Sequence, residues 1–359
     1  MSDTRYQMDG HKLFWHLDRV AAWQAGELIP PIYVEISPVS FCNHRCVFCG
    51  LDFAQDEKHQ LETEVICERL VEMGNLGVKS VMFAGEGEPL LHPGLDKMVD
   101  TAKKSGVDVS ITTNGSVGRQ ELWTALIPNL SWLRFSVDAG SQATYSRVHG
   151  VGDSAFTKTL ESIRQALKVR EESAAPCTIG VQFLLIKDNI SDIEQAIHTF
   201  GGMGVDYLSF KPYSEHPQML NKTQFTYTKK TVTDIDQRVR QNQRKYRTRL
   251  IFRKEATDTY AEGRKAFSQC CALPFWGYIS SKGDFYTCSV FLNDDRFKIG
   301  NIHTEDMQSI LFGERRRESV FYGRNELAVG RECRVNCRMA RINEFLDMLA
   351  TPPEHLNFI

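Results

Sequence analysis

The chain has 359 residues, 25% of them charged, and a formal net charge of −2. It is long enough to bury a substantial core and too balanced in charge for bulk affinity for polyanions, so no nucleic-acid partner is indicated. No secretory apolar run opens the sequence, and the longest apolar stretches, such as Val181 to Ile186 with Gln182 inside, are too short to span a bilayer.

In chain order, residues 1–30 are expected to form an N-terminal helical segment covering the bottom or edge of a barrel. Leu13, Leu17 and Val20 fall at i, i+4 and i+7 there. From residue 31, strands alternate with helices. Strands are predicted at 32–36, 80–84, 107–112, 132–137, 179–186 and 207–211, with helices near 61–75, 94–105, 119–127, 156–172 and 191–202. Such alternation builds a parallel sheet with helical crossovers, an α/β class fold, over a core domain at 31–213. Residues 214–269 are polar, with a charged helical stretch from Thr228 to Lys245, and read as a connector or a solvated face. A small domain at 270–340 comes next, where Gly283 suits a hairpin turn between 276–280 and 285–288. Residues 341–359 are read as a C-terminal helix and tail.

Eight of the ten cysteines cluster in two zones, which predicts a cytoplasmic protein using them for metal in place of disulfides. The first zone, Cys42-Asn43-His44-Arg45-Cys46-Val47-Phe48-Cys49, lies at the C-terminal end of the first strand, where an α/β barrel places its chemistry. A structural zinc site wants four protein ligands, and the local group stops at three. Three thiolates on a four-iron cluster leave one iron open to another ligand. The second strand ends in Gly85-Glu86-Gly87-Glu88-Pro89, either an ordinary βα turn or an acceptor for a cationic ligand. Asn114 ends the third strand. Ser136 and Asp138 alternate with apolar residues in the fourth, so both are expected on one face, and Gln182 breaks the apolar run of the fifth. Lys211 ends the sixth, either to pair with a substrate carboxylate or phosphate or to reach solvent. Tyr213 and His216 are read with it as lining the substrate space. Cys67 and Cys177 are read as packing residues.

The cysteine spacing after a first strand, with aromatic Phe48 just before the last Cys, resembles the radical S-adenosylmethionine (radical SAM) family. The resemblance implies a partial (β/α)6 TIM-like barrel and a [4Fe–4S] cluster on Cys42, Cys46 and Cys49, with SAM on the fourth iron. It also implies a reducing partner such as flavodoxin or ferredoxin, and cleavage of SAM to a radical that abstracts hydrogen from substrate. Gly87 and Glu88 match the family's motif for the SAM amino group, with Glu86 as the alternative carboxylate. Ser136, Asp138, Asn114 and Gln182 take the remaining SAM-binding positions.

The span from Cys271 through Gly283 and Cys288 to Lys298–Ile302 resembles the SPASM/twitch extension of this family. Full SPASM domains hold two clusters and use more cysteines than the five present here. One auxiliary [4Fe–4S] cluster is therefore expected, on Cys271, Cys288, Cys333 and Cys337. Cys270 is left as alternate ligand, hydrogen donor or bystander, and a zinc ribbon is the competing reading of the four thiolates. Peptide modifiers of the family often carry an N-terminal recognition domain, for which some thirty residues before the barrel leave no room. The expectation is therefore an oxidoreductase dehydrogenating a small sugar-, cyclitol- or nucleotide-like substrate, with the auxiliary cluster as electron acceptor. An epimerase using a Cys hydrogen donor, a peptide-modifying maturase and a zinc-stabilised α/β binding protein are the alternatives.

Overall fold

The computed structural model describes residues 6, 11–55, 57–222 and 225–357. Its strands are β1 (Tyr33–Ile36), β2 (Ser80–Phe83), β3 (Asp108–Thr113), β4 (Trp132–Ser136), β5 (Thr178–Leu185), β6 (Tyr207–Pro212), β7 (Arg249–Phe252), β8 (Trp276–Ile279), β9 (Asp284–Tyr286) and β10 (Lys298–Asn301). They form one sheet in the order β10-β9-β8-β1-β2-β3-β4-β5-β6-β7. From β8 through to β7 every neighbouring pair is parallel, and the β8–β9 and β9–β10 pairs are antiparallel. The crossovers are α2 to α7, preceded by α1 (Leu17–Gln24). They run Thr63–Asn75, Leu95–Lys104, Gln120–Leu126, Gln142–His149, Ser154–Glu172 and Ile193–Met203. Among the described residues, no helix is long and apolar enough to cross a membrane.

The sequence alternation explains which way the sheet faces. Val109, Ile111, Leu133 and Phe135 are fully buried in the main apolar core, while Ser110, Thr112, Arg134 and Ser136 between them are only half-buried. Burying each large apolar side chain contributes roughly 1.5–3 kcal/mol, so this face fixes the register. The polar face then curls inward round a lumen that solvent reaches, in the manner of a barrel open on one side. Tyr207 crosses its floor, stacked on Trp132 at a centroid distance of 6.4 Å. Its cross-strand partner is Gly180, where a Cβ would stand 2.1 Å from the Tyr207 ring.

The six predicted core strands all form, but the sheet is wider than six. The polar stretch 214–269 is not a bare connector: it supplies α8 (Lys229–Gln243), β7 and α9 (Lys254–Glu262), and β7 pairs with β6. Val232, Ile235 and Val239, spaced i, i+3 and i+7, are buried, and this narrow stripe suffices to dock an otherwise charged helix. The predicted hairpin forms as β8 and β9, yet β8 also extends the barrel sheet by pairing with β1. Beyond β10 come α10 (Met307–Phe312), α11 (Glu314–Asn325), α12 (Val329–Glu332) and α13 (Ala340–Ala350).

The N-terminal segment has partners beyond the barrel. Leu13 and Val20 are buried but Leu17 is 60% exposed, and their partners include Phe275 and Leu346. The segment thus packs on the C-terminal extension, and it also meets the bottom of the barrel, where the Tyr6 ring lies 5.5 Å from the Tyr207 ring and Arg19 donates to the Gly77 carbonyl (2.7 Å). Fully buried Arg316 of α11 ties the same region together, donating to the carbonyls of Ile29, Leu311 and Pro274 at 2.7–2.8 Å.

Gly180→Ala is expected to destabilise the fold by about 1–3 kcal/mol, because the Tyr207 ring is wedged against Trp132 and has no room to yield. Chemical denaturation of the two proteins measures this, and a change below about 0.5 kcal/mol is the outcome that sinks it.

Candidate active site

The chain leaving β1 carries Cys42, Cys46 and Cys49 over the open end of the lumen. Two backbone segments press together there, and this dictates the glycines. A Cβ on Gly87 would lie 2.2 Å from the Phe41 carbonyl oxygen, and Gly85 sits at φ +112° against Ser37 and the Tyr278 hydroxyl. The three thiols are metal-ligand types, close enough for their charges to act on one another. Burial pushes the Cys42 thiol up to about 12, with the charges of Glu88 and Cys49 adding to it. Burial raises Cys46 and Cys49 as well. Neutral thiols are thus favoured unless a cation holds them, which is what a metal cluster provides.

Donors already surround the sulfurs. The His44 N–H points at Cys42 Sγ (3.4 Å), the Gln55 amide at Cys49 Sγ (3.7 Å) and the Asn114 amide at Cys42 Sγ (3.9 Å). His149 Nδ1 lies 3.0 Å from Cys46 Sγ, and His44, Cys46 and His149 bring their ligand atoms within 4.8 Å of one another. The His149 Nε2–H is engaged by the Val137 carbonyl (2.6 Å), which turns Nδ1 to the sulfur. Both His44 ring nitrogens are buried without a hydrogen-bond partner. Three soft sulfurs with outer donors and no fourth thiol fit a cluster with one open iron better than a closed zinc site.

Behind the loop, two acids face opposite ways. The Glu88 carboxylate, wholly buried, accepts from Thr113 Oγ1 (2.5 Å), Asn114 N–H (2.8 Å) and Leu90 N–H (3.0 Å), and burial raises its pKa against these bonds. It therefore braces the end of β3. Glu86 accepts from the Ser281 N–H (3.2 Å) and the Ser281 and Tyr278 hydroxyls, clamping the extension to the barrel. Asn114 donates to Asn43 Oδ1 (2.9 Å) and so reaches the cysteine loop itself.

Ser136 and Gln182 are cross-strand partners facing the lumen. Asp138 does not continue their row: β4 ends at Ser136, and Asp138 adopts φ +55°, unusual for a non-glycine residue. Its buried carboxylate accepts the Leu184 N–H (2.5 Å) and stands 3.7 Å from His149 Nε2, with burial pushing its pKa up to about 7. Lys211 lies at the end of β6, half-buried on the lumen face.

Tyr213 and His216, expected in the substrate space, are elsewhere. Tyr213 is buried with Val148, Ile186 and Met219, beneath Val47 and Phe48 of the cysteine loop. His216 donates from Nε2 to the Ser289 carbonyl (3.0 Å), accepts the Gln218 N–H at Nδ1 (3.2 Å) and stacks on Phe53. Both its nitrogens are engaged, so it serves as a strut between barrel and extension. Sequence reading also passed over Arg134, Glu35 and Arg338. Arg338 is ion-paired with Glu35 of β1 and lies over the Trp276 ring. For Glu35 and Arg134 a charged residue at inward parity within a strand was the signal available, whereas Arg338 lies in the turn before α13.

In the extension, Cys270, Cys288, Cys333 and Cys337 line one enclosed, mainly apolar pocket with Phe267 and Trp276. Cys271 is not among them: it packs into the apolar cluster of Leu13, Trp23, Phe275 and Leu346. The expected ligand set is corrected accordingly, with Cys270 in place of Cys271. Successive side chains diverge, and the Cys270 N–H bond to the Gly323 carbonyl (3.1 Å) fixes which sulfur faces inward. The Asn343 amide points at Cys270 Sγ (3.7 Å) and the Met339 N–H at Cys337 Sγ (3.4 Å). The hydrogen bond from Cys333 favours the Cys337 thiolate and lowers its pKa, and the same bond raises that of Cys333. Arg334 Nε is buried there without a partner. Four sulfurs, outer donors and an unpaired buried cation fit an anionic iron–sulfur cluster. The same position of Cys270 removes it from the barrel lumen, so a role as hydrogen donor to substrate finds no geometric support.

Comparison with known proteins agrees with both sulfur groups. Residues 36–200 match the radical SAM superfamily, and residues 270–338 match the iron–sulfur cluster-binding domain SPASM. Among curated proteins, a tungsten-containing aldehyde ferredoxin oxidoreductase cofactor-modifying protein of Pyrococcus furiosus is 29% identical over 178 residues, covering 49% of each chain. A GTP 3′,8-cyclase of Chlorobaculum tepidum is 32% identical over 118 residues, covering 32% of this chain and 36% of its own. The chain thus spans about half or less of the length of these relatives. In fold it resembles Streptococcus suis SuiB bound to precursor peptide SuiA (TM-score 0.67, 16% identity, 98% of this chain and 81% of that one). It also resembles anSMEcpe with bound AdoMet (TM-score 0.63, 16% identity, 88% of both chains).

Two outcomes are expected for reconstituted protein. Cys270→Ala should lose about half of roughly eight bound irons, whereas Cys271→Ala keeps them all. Iron and acid-labile sulfide analysis reads this directly, and the reverse pattern restores Cys271 as ligand. Glu88→Ala orphans two backbone N–H groups and a hydroxyl, and is expected to cost at least about 2 kcal/mol of stability in a denaturation curve.

Proposed function

We propose that this chain, a radical SAM enzyme with a C-terminal SPASM domain, dehydrogenates a small polar substrate held in the barrel lumen. The observation that carries the reading is the single four-sulfur pocket of the extension, joined to the lumen by the Arg338–Glu35 ion pair. When bound, SAM and a [4Fe–4S] cluster on Cys42, Cys46 and Cys49 supply a hydrogen-abstracting 5′-deoxyadenosyl radical, and a cluster on Cys270, Cys288, Cys333 and Cys337 supplies an electron acceptor.

The chain's own residues provide everything else. Gly87 lets the 85–88 turn approach the cysteine loop, and exposes backbone groups to a ligand there. Glu88 holds Asn114 in place through its backbone N–H, Asn114 steadies the cysteine loop through Asn43, and Ser136 and Gln182 offer neutral hydrogen-bonding groups to the SAM nucleoside and methionine moieties. Asp138 and Asn189 lock the end of β4 to β5, since the Asn189 amide donates to the Asp138 carbonyl (2.8 Å) and the Leu184 carbonyl (2.7 Å). Tyr207 and Trp132 close the floor and keep bulk water from entering at that end.

A peptide substrate is the second reading, favoured by the overlap with SuiB, which is solved with a precursor peptide. An external one-electron donor such as flavodoxin or ferredoxin is required under either reading.

Replacing Cys42, Cys46 and Cys49 together by Ala is expected to abolish 5′-deoxyadenosine formation. Cys288→Ala is expected to keep SAM cleavage and lose the oxidised product, since the electron acceptor is gone. Both are read from anaerobic assays that score deuterium moving between 5′-deoxyadenosine and a panel of small alcohols and peptides. Oxidised product at wild-type yield from Cys288→Ala sinks the dehydrogenase reading, and protein holding zinc without sulfide sinks the radical one.

A further inference from the structure

Among the described residues, two cations of the lumen have no carboxylate at ion-pair distance. Glu35 is taken by Arg338 and the Tyr33 hydroxyl (3.1 Å). Asp138 is taken by the Leu184 N–H, Glu86 by Ser281 and Tyr278, and Glu88 by its three donors. Two inward cations are left. Among the described residues, no carboxylate stands within 4.0 Å of Arg134 or Lys211, and neither makes a hydrogen bond. Arg134 lies with its guanidinium 4.7 Å from the Trp132 ring centroid, and its Nε is buried without a partner. Stacking fixes the guanidinium plane and leaves its N–H edge free to donate.

The strand register places the two charges on either side of one neutral row. Ser136, Gln182 and Ser209 are successive cross-strand partners. Arg134 lies two residues before Ser136, and Lys211 two residues after Ser209. Arg134 faces Gly180, and the Tyr207 ring fills the space that a side chain there would need. Burial, and then the charges of Arg134, Arg253 and Arg338, depress the Lys211 ammonium, and the more distant Asp138 carboxylate opposes them only in part. Unpaired charge facing a half-dry chamber is costly, and a structure that keeps one such group on each flank of the row has an anion to receive.

We propose that Lys211 and Arg134 form a receptor for an anionic oxygen group, a carboxylate or a phosphate, carried into the lumen by the substrate. This rests on the lumen being the substrate chamber. It narrows the substrate to an acidic molecule whose charged end sits against the row of Ser136, Gln182 and Ser209. The reacting carbon then faces the cysteine loop above. The carboxylate of SAM is the other source of the same chemistry, and the experiment separates the two.

The test uses reconstituted protein saturated with SAM, and inorganic pyrophosphate as the probe, followed by titration calorimetry. Wild-type protein is expected to bind pyrophosphate. Lys211→Met and Arg134→Met should each weaken that binding by about tenfold or more, the scale of one charge-assisted hydrogen bond, while Lys211→Arg keeps most of it. SAM affinity in the same variants should stay within about twofold of wild type. Iron content and a thermal melt establish that each variant is folded, and the Lys211→Arg protein preserves the comparison if a Met variant is not. No pyrophosphate uptake by wild-type protein overturns the proposal. So does a loss of SAM affinity in both Met variants with pyrophosphate binding intact, which gives the two cations to SAM. Wild-type protein that binds pyrophosphate but forms no 5′-deoxyadenosine instead overturns the radical reading and leaves the receptor standing.

Discussion

The structure depends on a strand of four residues paired in parallel on both edges. β1 lies in register with β2 through Tyr33↔Ser80 to Ile36↔Phe83, and with β8 through Tyr33↔Trp276 to Ile36↔Ile279. Its backbone groups are thereby satisfied from two directions, and the cysteine loop starts from a point that neither neighbour can shift alone. The acids of the 85–88 turn reinforce this. Glu86 turns to Ser281 of the extension and Glu88 turns to Thr113 and Asn114 of β3. Two carboxylates separated by one glycine thus fasten the mouth of the barrel to both sides of the sheet.

Burial of polar groups separates support from function. Glu86, Glu88, His216 and Arg316 are buried with each polar end engaged, as stability demands. Arg134, Arg334 and His44 are buried or half-buried with polar atoms left over, and all three lie beside the lumen or a sulfur group. Unsatisfied atoms also occur in the outer helices, at Trp123, Ser162 and Gln165, so position beside the lumen or a sulfur group is what marks these three. The two sulfur groups follow the same division. The extension's is enclosed and apolar, suited to electron transfer, while the first lies at a polar mouth where a ligand can approach.

Much of this was legible in the sequence because period-two alternation and dense cysteines are local signals. The six core strands and the C-x3-C-x2-C loop came from such signals. The misses came where tertiary contacts decide. Tyr213 and Asp138 lie just beyond strand ends, where alternation stops and a single dihedral angle redirects the side chain. Cys270 and Cys271 are chemically identical neighbours, and only the hydrogen bond to Gly323 decides which one turns inward. The β7 unit was hidden by charge, because three buried residues in α8 are enough to dock a helix whose remaining surface is polar. The Arg338–Glu35 pair joins residues about three hundred positions apart, a separation no local pattern reports.

The parallel pairing of β8 with β1 has a consequence for inheritance. In sequence the radical SAM and SPASM stretches are separate blocks, divided by about seventy residues, and look free to recombine. In the sheet they are adjacent strands. Exchanging one block for a homologue's would have to preserve the alignment of Val34 with Gly277, because a one-residue slip turns Glu35 away from Arg338 and reverses every side chain of the strand. Losing the extension would bare an edge of β1 for pairing with another chain. The two blocks are therefore expected to descend as a matched pair, with their lineages joined at a strand four residues long.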